Sequence, residues 1–231
     1  ACAAVDRSIR IRFTTSHPRD FSDKLIYTIA DNPNICNYIH LPVQSGSNRI
    51  LELMNRNYTV EHYLKMIEKA KEIIPGVSFS TDIISGFPSE TEDDHKATIE
   101  LMKKVRYDGA FMFKYSPREG TKAFKMQDSV DEEVKSRRLT EIIDLQQKIS
   151  YELNQELIGT EDVVLVEGFS RKSEEFLMGR TGTNKVVIFS KQDDIKPGDY
   201  VKVKINKATS GTLFGDLTEK EIKDLNVSLT A

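Results

Sequence analysis

The spacing of apolar residues along the chain changes several times, and each change predicts an element. At residues 9–14, Ile9, Ile11 and Phe13 alternate with Arg10 and Arg12, the period-two pattern of a strand. Residues 21–30 follow a helical period, with a cap near Asp20 or Ser22, and Asn32-Pro33-Asn34 reads as a turn. Tyr38-Ile39-His40-Leu41 is a short apolar run suited to a buried strand, which Pro42 ends because it has no N–H to give. A helical pattern then starts at Asn48 and runs to Met54. Thr59 with acidic Glu61 marks another helix start, and its stripe of Tyr63, Leu64, Ile67, Ala70, Ile73 and Ile74 stops at Pro75-Gly76. Residues 77–84 form the next strand pattern and Gly86-Phe87-Pro88 a tight turn. Glu90, Glu92, Asp93 and Asp94 load the first turn of a helix reaching Val105, where a helix dipole favours carboxylates. Residues 108–115 read as a strand, and 130–158 as one long, charged helix.

After Gly159 the pattern becomes short strands and turns at 162–167, 176–181, 185–189, 200–205 and 211–217, which predicts a small five-stranded barrel. The expected organisation is therefore α/β over residues 1–158, with four parallel strand–loop units, an all-β barrel over 159–219, and a polar tail over 220–231.

Ligands in such α/β sheets sit at the carboxyl ends of the strands. Three groups of polar residues fall there. Gln44, Ser45 and Ser47 surround Gly46, although a βα loop with Ser47 as helix cap accounts for the same spacing. Ser80 and Asp82 alternate with apolar neighbours and point into the expected interior, where a carboxylate needs a polar partner or a ligand. Ser116, Arg118 and Thr121 surround Pro117 and Gly120, and the planar fork of Arg118 suits a carboxylate or phosphate. His17, before Pro18, either touches a substrate or is a plain loop residue.

Composition narrows the function class. The net charge of −3 means that any nucleic-acid contact must come from local Lys and Arg clusters. In the barrel, Arg171, Lys172, Arg180, Lys185, Lys202 and Lys204 are interleaved with Phe169, Phe176 and Phe189, but acidic residues are about as numerous. No apolar run suits a membrane span, and no signal peptide is visible. Cys2 and Cys36 are far apart, which implies no disulfide framework and fits a reducing cytoplasm; each is expected to be a buried small hydrophobe.

The wording of these stretches goes further than their spacing. His40-Leu41-Pro42-Val43-Gln44-Ser45-Gly46-Ser47, followed by Met54-Asn55-Arg56-Asn57-Tyr58-Thr59, resembles the radical-SAM methylthiotransferases, most closely their tRNA-modifying MiaB branch. Ile11 to Pro18, Ser80 to Thr91 and Tyr115 to Thr121 match in the same order, and residues 159–219 resemble a TRAM domain. The related ribosomal-protein-modifying branch has a different phrase where Val43 to Ser47 stand, which argues for a tRNA substrate.

The resemblance implies a partial radical-SAM barrel, S-adenosylmethionine, and two 4Fe-4S clusters in the parent enzyme. One cluster generates a 5′-deoxyadenosyl radical and the other carries the sulfur. The family's CxxxCxxC motif is absent, and Cys2 and Cys36 cannot supply three thiolates. The start at Ala1 suggests a fragment, with the cluster cysteines upstream and no metal ligands here. Gln44, Ser45, Asp82 and Ser116 are then expected to hydrogen-bond the cofactor, with Ile84, Ser85 and Gly86 against its adenine. His17 and Arg118 face the substrate, and the barrel's basic residues hold RNA near the tRNA anticodon. The implied reaction is methylthiolation of isopentenyladenosine at ring carbon 2. Alternatives are another tRNA adenosine or a protein as substrate, or, for this segment alone, a non-catalytic RNA-binding module. A half barrel would expose an edge strand, so a dimer or strand exchange is also expected.

Overall fold

A computed structural model describes residues 2–14, 17–126 and 129–220; Thr15 and Ser16 of the expected first loop and most of the expected tail lie outside the described residues. The first part holds a parallel three-stranded sheet in the order β1 (Tyr38–His40), β2 (Ser78–Ser85) and β3 (Gly109–Lys114). Helices α1 (Asp23–Ala30), α2 (Asn48–Leu53), α3 (Val60–Ile73) and α4 (Glu92–Val105) surround it, and α5 (Glu132–Gln155) crosses to the second part.

The helix starts follow local chemistry. Ser22, Ser47 and Thr59 accept hydrogen bonds from the backbone N–H groups of Leu25, Ile50 and His62. Thr91 and Asp94 form a reciprocal capping box at the start of α4.

Alternation along β2 divides the sheet into two faces. Ile39, Phe79 and Ile83 are almost fully buried and join one core with Tyr63, Ile67, Met102, Tyr107 and Ile142. The opposite face carries Ser80, Asp82 and Ile84, in register with β3 residues Gly109, Phe111 and Phe113. Phe111 and Phe113 are about half exposed, so this face is open.

The segment expected to be a first strand is not one. Among the described residues an isolated bridge joins Ile11 to Ile35, and the sheet has three strands rather than four. Its arginines explain the difference, because they bind the second part instead. Arg10 donates from Nη1 to the Arg180 carbonyl at 2.8 Å and from Nη2 to the Val163 carbonyl at 3.1 Å. Arg12 donates to the Thr181 carbonyl at 3.0 Å. Cys36 is buried as expected, whereas Cys2 is exposed.

The second part is a closed barrel of β4 (Glu161–Ser170), β5 (Ser173–Arg180), β6 (Val186–Ser190), β7 (Tyr200–Ala208) and β8 (Leu213–Glu219), in the order β4-β5-β6-β8-β7. Val164, Val166, Leu177, Val187, Phe189, Val201 and Val203 fill it. Phe189, one of the aromatics interleaved with the barrel's basic residues, is thus core. The barrel sits against the amino ends of the sheet strands: Ser78 Oγ donates to the Thr183 carbonyl, and Lys185 Nζ donates to Asp108 Oδ1 at 2.7 Å and Asn154 Oδ1 at 2.9 Å.

Candidate functional site: a cleft at the strand ends

A cleft of about 810 Å³ opens at the carboxyl ends of the sheet, where the architecture favours ligands. Gln44, Asp82, Ile84, Ser116 and Arg118, all expected at the site, line it. Gln44 adopts a left-handed backbone (φ 72°) that bends the chain after Pro42. Its N–H donates to the Asp82 carbonyl and its carbonyl accepts from the Ile84 N–H, both within 2.9 Å. The loop is thereby tied to β2, and Gln44 lines the cleft together with Asp82 and Ile84. Asp82 is partly exposed, with one oxygen 3.4 Å from His40 Nε2, so the polar partner that burial demands is present.

The other expected site residues lie elsewhere. Ser45 is buried behind the loop, where its hydroxyl accepts from the Ser47 N–H and faces Thr98. Ser85 points to the helix-facing side of β2, and its buried hydroxyl has no hydrogen-bond partner among the described residues. Gly86 (φ 75°) turns beneath α5, where a Cβ would strike the Lys135 side chain. His17 caps the short turn of Pro18–Asp20 by accepting from the Arg19 N–H, and its ring meets Tyr58 edge-on at 5.4 Å. Partial burial, with Arg56 and Arg19 nearby, pushes the His17 imidazole below its ordinary pKa.

In the barrel, Arg171 and Lys172 are exposed on the β4–β5 turn. Lys185 is held at the junction between the two parts by Asp108 and Asn154. Arg180 is partly buried there against Glu167 and Asn184. Both face the amino ends of the sheet, away from the cleft.

Several cleft residues were not among the expected site residues. Arg56 and Lys122 join Arg118 on the lining, and Phe87, Phe113 and Tyr115 supply aromatic wall. Phe87 and Tyr115 pack edge-on at 5.2 Å. Arg56 follows Asn55, whose positive φ of 58° ends α2; that Asn-Arg step was the available signal. The turn at Gly86, next to the cleft residue Phe87, is braced by charge. Arg138 donates to Glu90 Oε1 at 2.8 Å, and that oxygen also accepts from the Gly86 N–H at 3.0 Å. Burial nonetheless pushes the Glu90 carboxyl up. Glu90, expected only as a helix starter, therefore joins α5 to the Gly86 turn.

Comparisons with known proteins agree with this architecture. Residues 2–102 match the Radical SAM superfamily and 155–218 the TRAM domain. The chain is 54% identical over 213 residues to the tRNA-2-methylthio-N(6)-dimethylallyladenosine synthase of Parabacteroides distasonis, covering 92% of this chain and 46% of that protein. The synonymous protein of Chlorobium phaeovibrioides is 55% identical over 207 residues, covering 89% and 46%. Among solved structures, Escherichia coli coproporphyrinogen III oxidase, described as a radical SAM enzyme, superposes with a TM-score of 0.53 at 15% identity, covering 86% of this chain and 47% of that one; this likeness concerns the fold. The chain spans about half the length of the curated relatives it matches. With the Radical SAM and TRAM matches in that order and more than half of the aligned residues identical to those synthases, the chain is similar, over nearly all of its length, to about half of a radical-SAM, TRAM-containing tRNA methylthiotransferase.

Proposed function

We propose that this chain forms the cofactor cleft and part of the RNA-holding surface of an enzyme that adds a methylthio group to ring carbon 2 of isopentenyladenosine at tRNA position 37. The observation that carries the proposal is the convergence of Gln44, Asp82, Ile84 and Ser116 on one cleft with Arg118. The cleft suits S-adenosylmethionine. Its volume lies in the usual range for ligand pockets, and a few polar groups stand among apolar walls. Asp82 and Gln44 would take the hydroxyl and ammonium donors, and Ile84 would lie along the adenine. When bound, S-adenosylmethionine supplies the radical chemistry, and the protein contributes position and dryness.

An iron–sulfur cluster does not fit the described residues. Among them no three His, Cys, Asp or Glu stand close enough to hold a metal. The two clusters of the parent enzyme are proposed to lie on other residues.

The substrate base must leave its stack to enter the cleft. Arg56, Arg118 and Lys122 on the lining suit the flanking phosphates of an anticodon stem-loop. On the barrel, exposed Arg171 and Lys172 lie near half-exposed Phe169, over which Lys191 Nζ sits at 5.5 Å. A cation beside an open aromatic face suits single-stranded RNA. Among the described residues no helix is long and apolar enough to cross a membrane; with tRNA as substrate, we place the enzyme in the cytoplasm.

Calorimetric titration tests the cofactor reading. The chain should take up S-adenosylmethionine, and Asp82→Ala should weaken the affinity about tenfold or more, the loss of a charge-assisted hydrogen bond. Equal binding by the variant would remove Asp82 from the site. For the parent enzyme, tRNA nucleosides from a strain lacking the gene should contain isopentenyladenosine without its methylthio group; unchanged nucleosides would rule out the substrate.

A further inference from the structure

We infer that His40 is the positioning residue for Asp82, through a row of side chains, Tyr38–Ser80–His40–Asp82, laid across the open face of the sheet. The row follows from register. In the parallel pairing of β1 with β2, Tyr38 lies opposite Ser78 and His40 opposite Ser80, and residues two apart share a face. Tyr38 Oη and Ser80 Oγ are 2.6 Å apart, and Ser80 Oγ and His40 Nδ1 are 2.8 Å apart. The other ring nitrogen, Nε2, lies 3.4 Å from Asp82 Oδ1. The ring also meets Phe111 edge-on, 5.7 Å between centroids.

An imidazole is rigid, so fixing one nitrogen and one edge fixes where the other nitrogen points. Ser80 and Phe111 supply those two constraints, and Nε2 is left facing the carboxylate. The His40 side chain is 11% exposed and that of Asp82 28%. The ring is thus enclosed, while the carboxylate it holds opens to the cleft. A short carboxylate on a strand otherwise has two rotatable bonds and several rotamers. His40 restricts them before any ligand arrives, which reduces the ordering cost of binding.

The far end of the row is anchored as well. Tyr38 and Ser80 line a second cavity, of about 360 Å³, between the sheet and the small barrel. The Arg12 guanidinium lies 5.6 Å from the centre of the Tyr38 ring while donating to the Thr181 carbonyl of the barrel. The seating of the barrel thus sets the end of the row opposite the cleft.

The inference rests on the reading of Asp82 as a cofactor contact, and two measurements separate their fates. The first uses the chain without ligand, in imidazole nitrogen–proton correlation spectra. Ser80→Ala should move the His40 Nδ1 resonance and Asp82→Asn the Nε2 resonance, with the chain's three other histidines unmoved. If neither nitrogen responds, the row does not exist and the inference is overturned.

The second is a double-mutant cycle on S-adenosylmethionine affinity. His40→Ala should weaken binding about tenfold. His40→Gln, whose amide can serve both neighbours, should restore most of the loss, a rescue that a purely space-filling ring would not allow. In an Asp82→Asn background, His40→Ala should cost almost nothing further. Independent losses at the two positions would overturn the inference and leave the cofactor reading standing. Absence of binding by the wild-type chain would instead sink the cofactor reading, and with it the positioning role toward that ligand.

Discussion

At the scale of single residues, Asp94 does the most for the loop that carries Gln44. It accepts from Ser47 Oγ, from Thr91 and from the Arg49 guanidinium. Partial burial alone would raise this carboxyl, but the hydrogen bonds outweigh it and hold its pKa well below the usual carboxylate range. The linkage has a definite sign. A carboxyl depressed on folding contributes stability that is full above its unfolded value and is lost as pH falls through the folded one. Glu141 is likewise lowered: burial opposes the shift, and hydrogen bonds from His95 and Arg137 prevail. Denaturation midpoints should therefore fall below about pH 4, and Asp94→Ala should flatten that dependence while costing about 2 kcal/mol at pH 7. Ser85 gives the opposite expectation. Its hydroxyl is buried without a partner among the described residues, so Ser85→Ala should leave stability unchanged or raise it by about 1 kcal/mol. A drop in thermal midpoint would mean that the hydroxyl has a partner after all.

At the scale of elements, α5 joins the two halves of the molecule. Near its amino end Lys135 lies under Gly86 and Arg138 grips Glu90. Near its carboxyl end Asn154 and Gln155 donate to carbonyls of the β7–β8 turn region, Ala208 to Ser210. Gly86→Ala would both force a left-handed backbone on alanine and drive its Cβ into Lys135. Chemical denaturation should register about 2–3 kcal/mol of lost stability. Lys185 closes the same junction. Replacing it with Met leaves Asp108, still bonded to the Phe79 N–H, without its ammonium partner. Calorimetry on Lys185→Met should show the small barrel and the sheet unfolding in two transitions in place of one.

At the scale of the whole molecule, the cleft and the small barrel occupy opposite ends of the parallel strands. β2 runs eight residues between them, about 25 Å at strand rise. An RNA held by both must therefore wrap along the molecule rather than sit at one point. Binding should then weaken steeply with salt, and variants at Arg118 and Arg171 should each lower the slope by about one. The edge strand β3 presents Phe111 and Phe113, each about half exposed. Light scattering of the isolated chain at high concentration should show self-association through that edge; a clean monomer would count against it.

Element types and most of their bounds were legible in the chain because they follow local rules. Ser22, Ser47 and Thr59 cap helices, and apolar period separates strand from helix, whatever lies across the molecule. Gln44, Asp82, Ile84, Ser116 and Arg118 could be gathered into one cleft because parallel strands bring their carboxyl ends together. Long-range pairing decided the rest. Arg10 and Arg12 gave a strand pattern, but their guanidinium groups found carbonyls more than 150 residues away. Strand parity turned Ser85 from the cleft, and Asp108 drew Lys185 from the surface into the junction. A charged side chain binds whichever partner folding brings within a few ångströms, and no spacing along the chain encodes that distance.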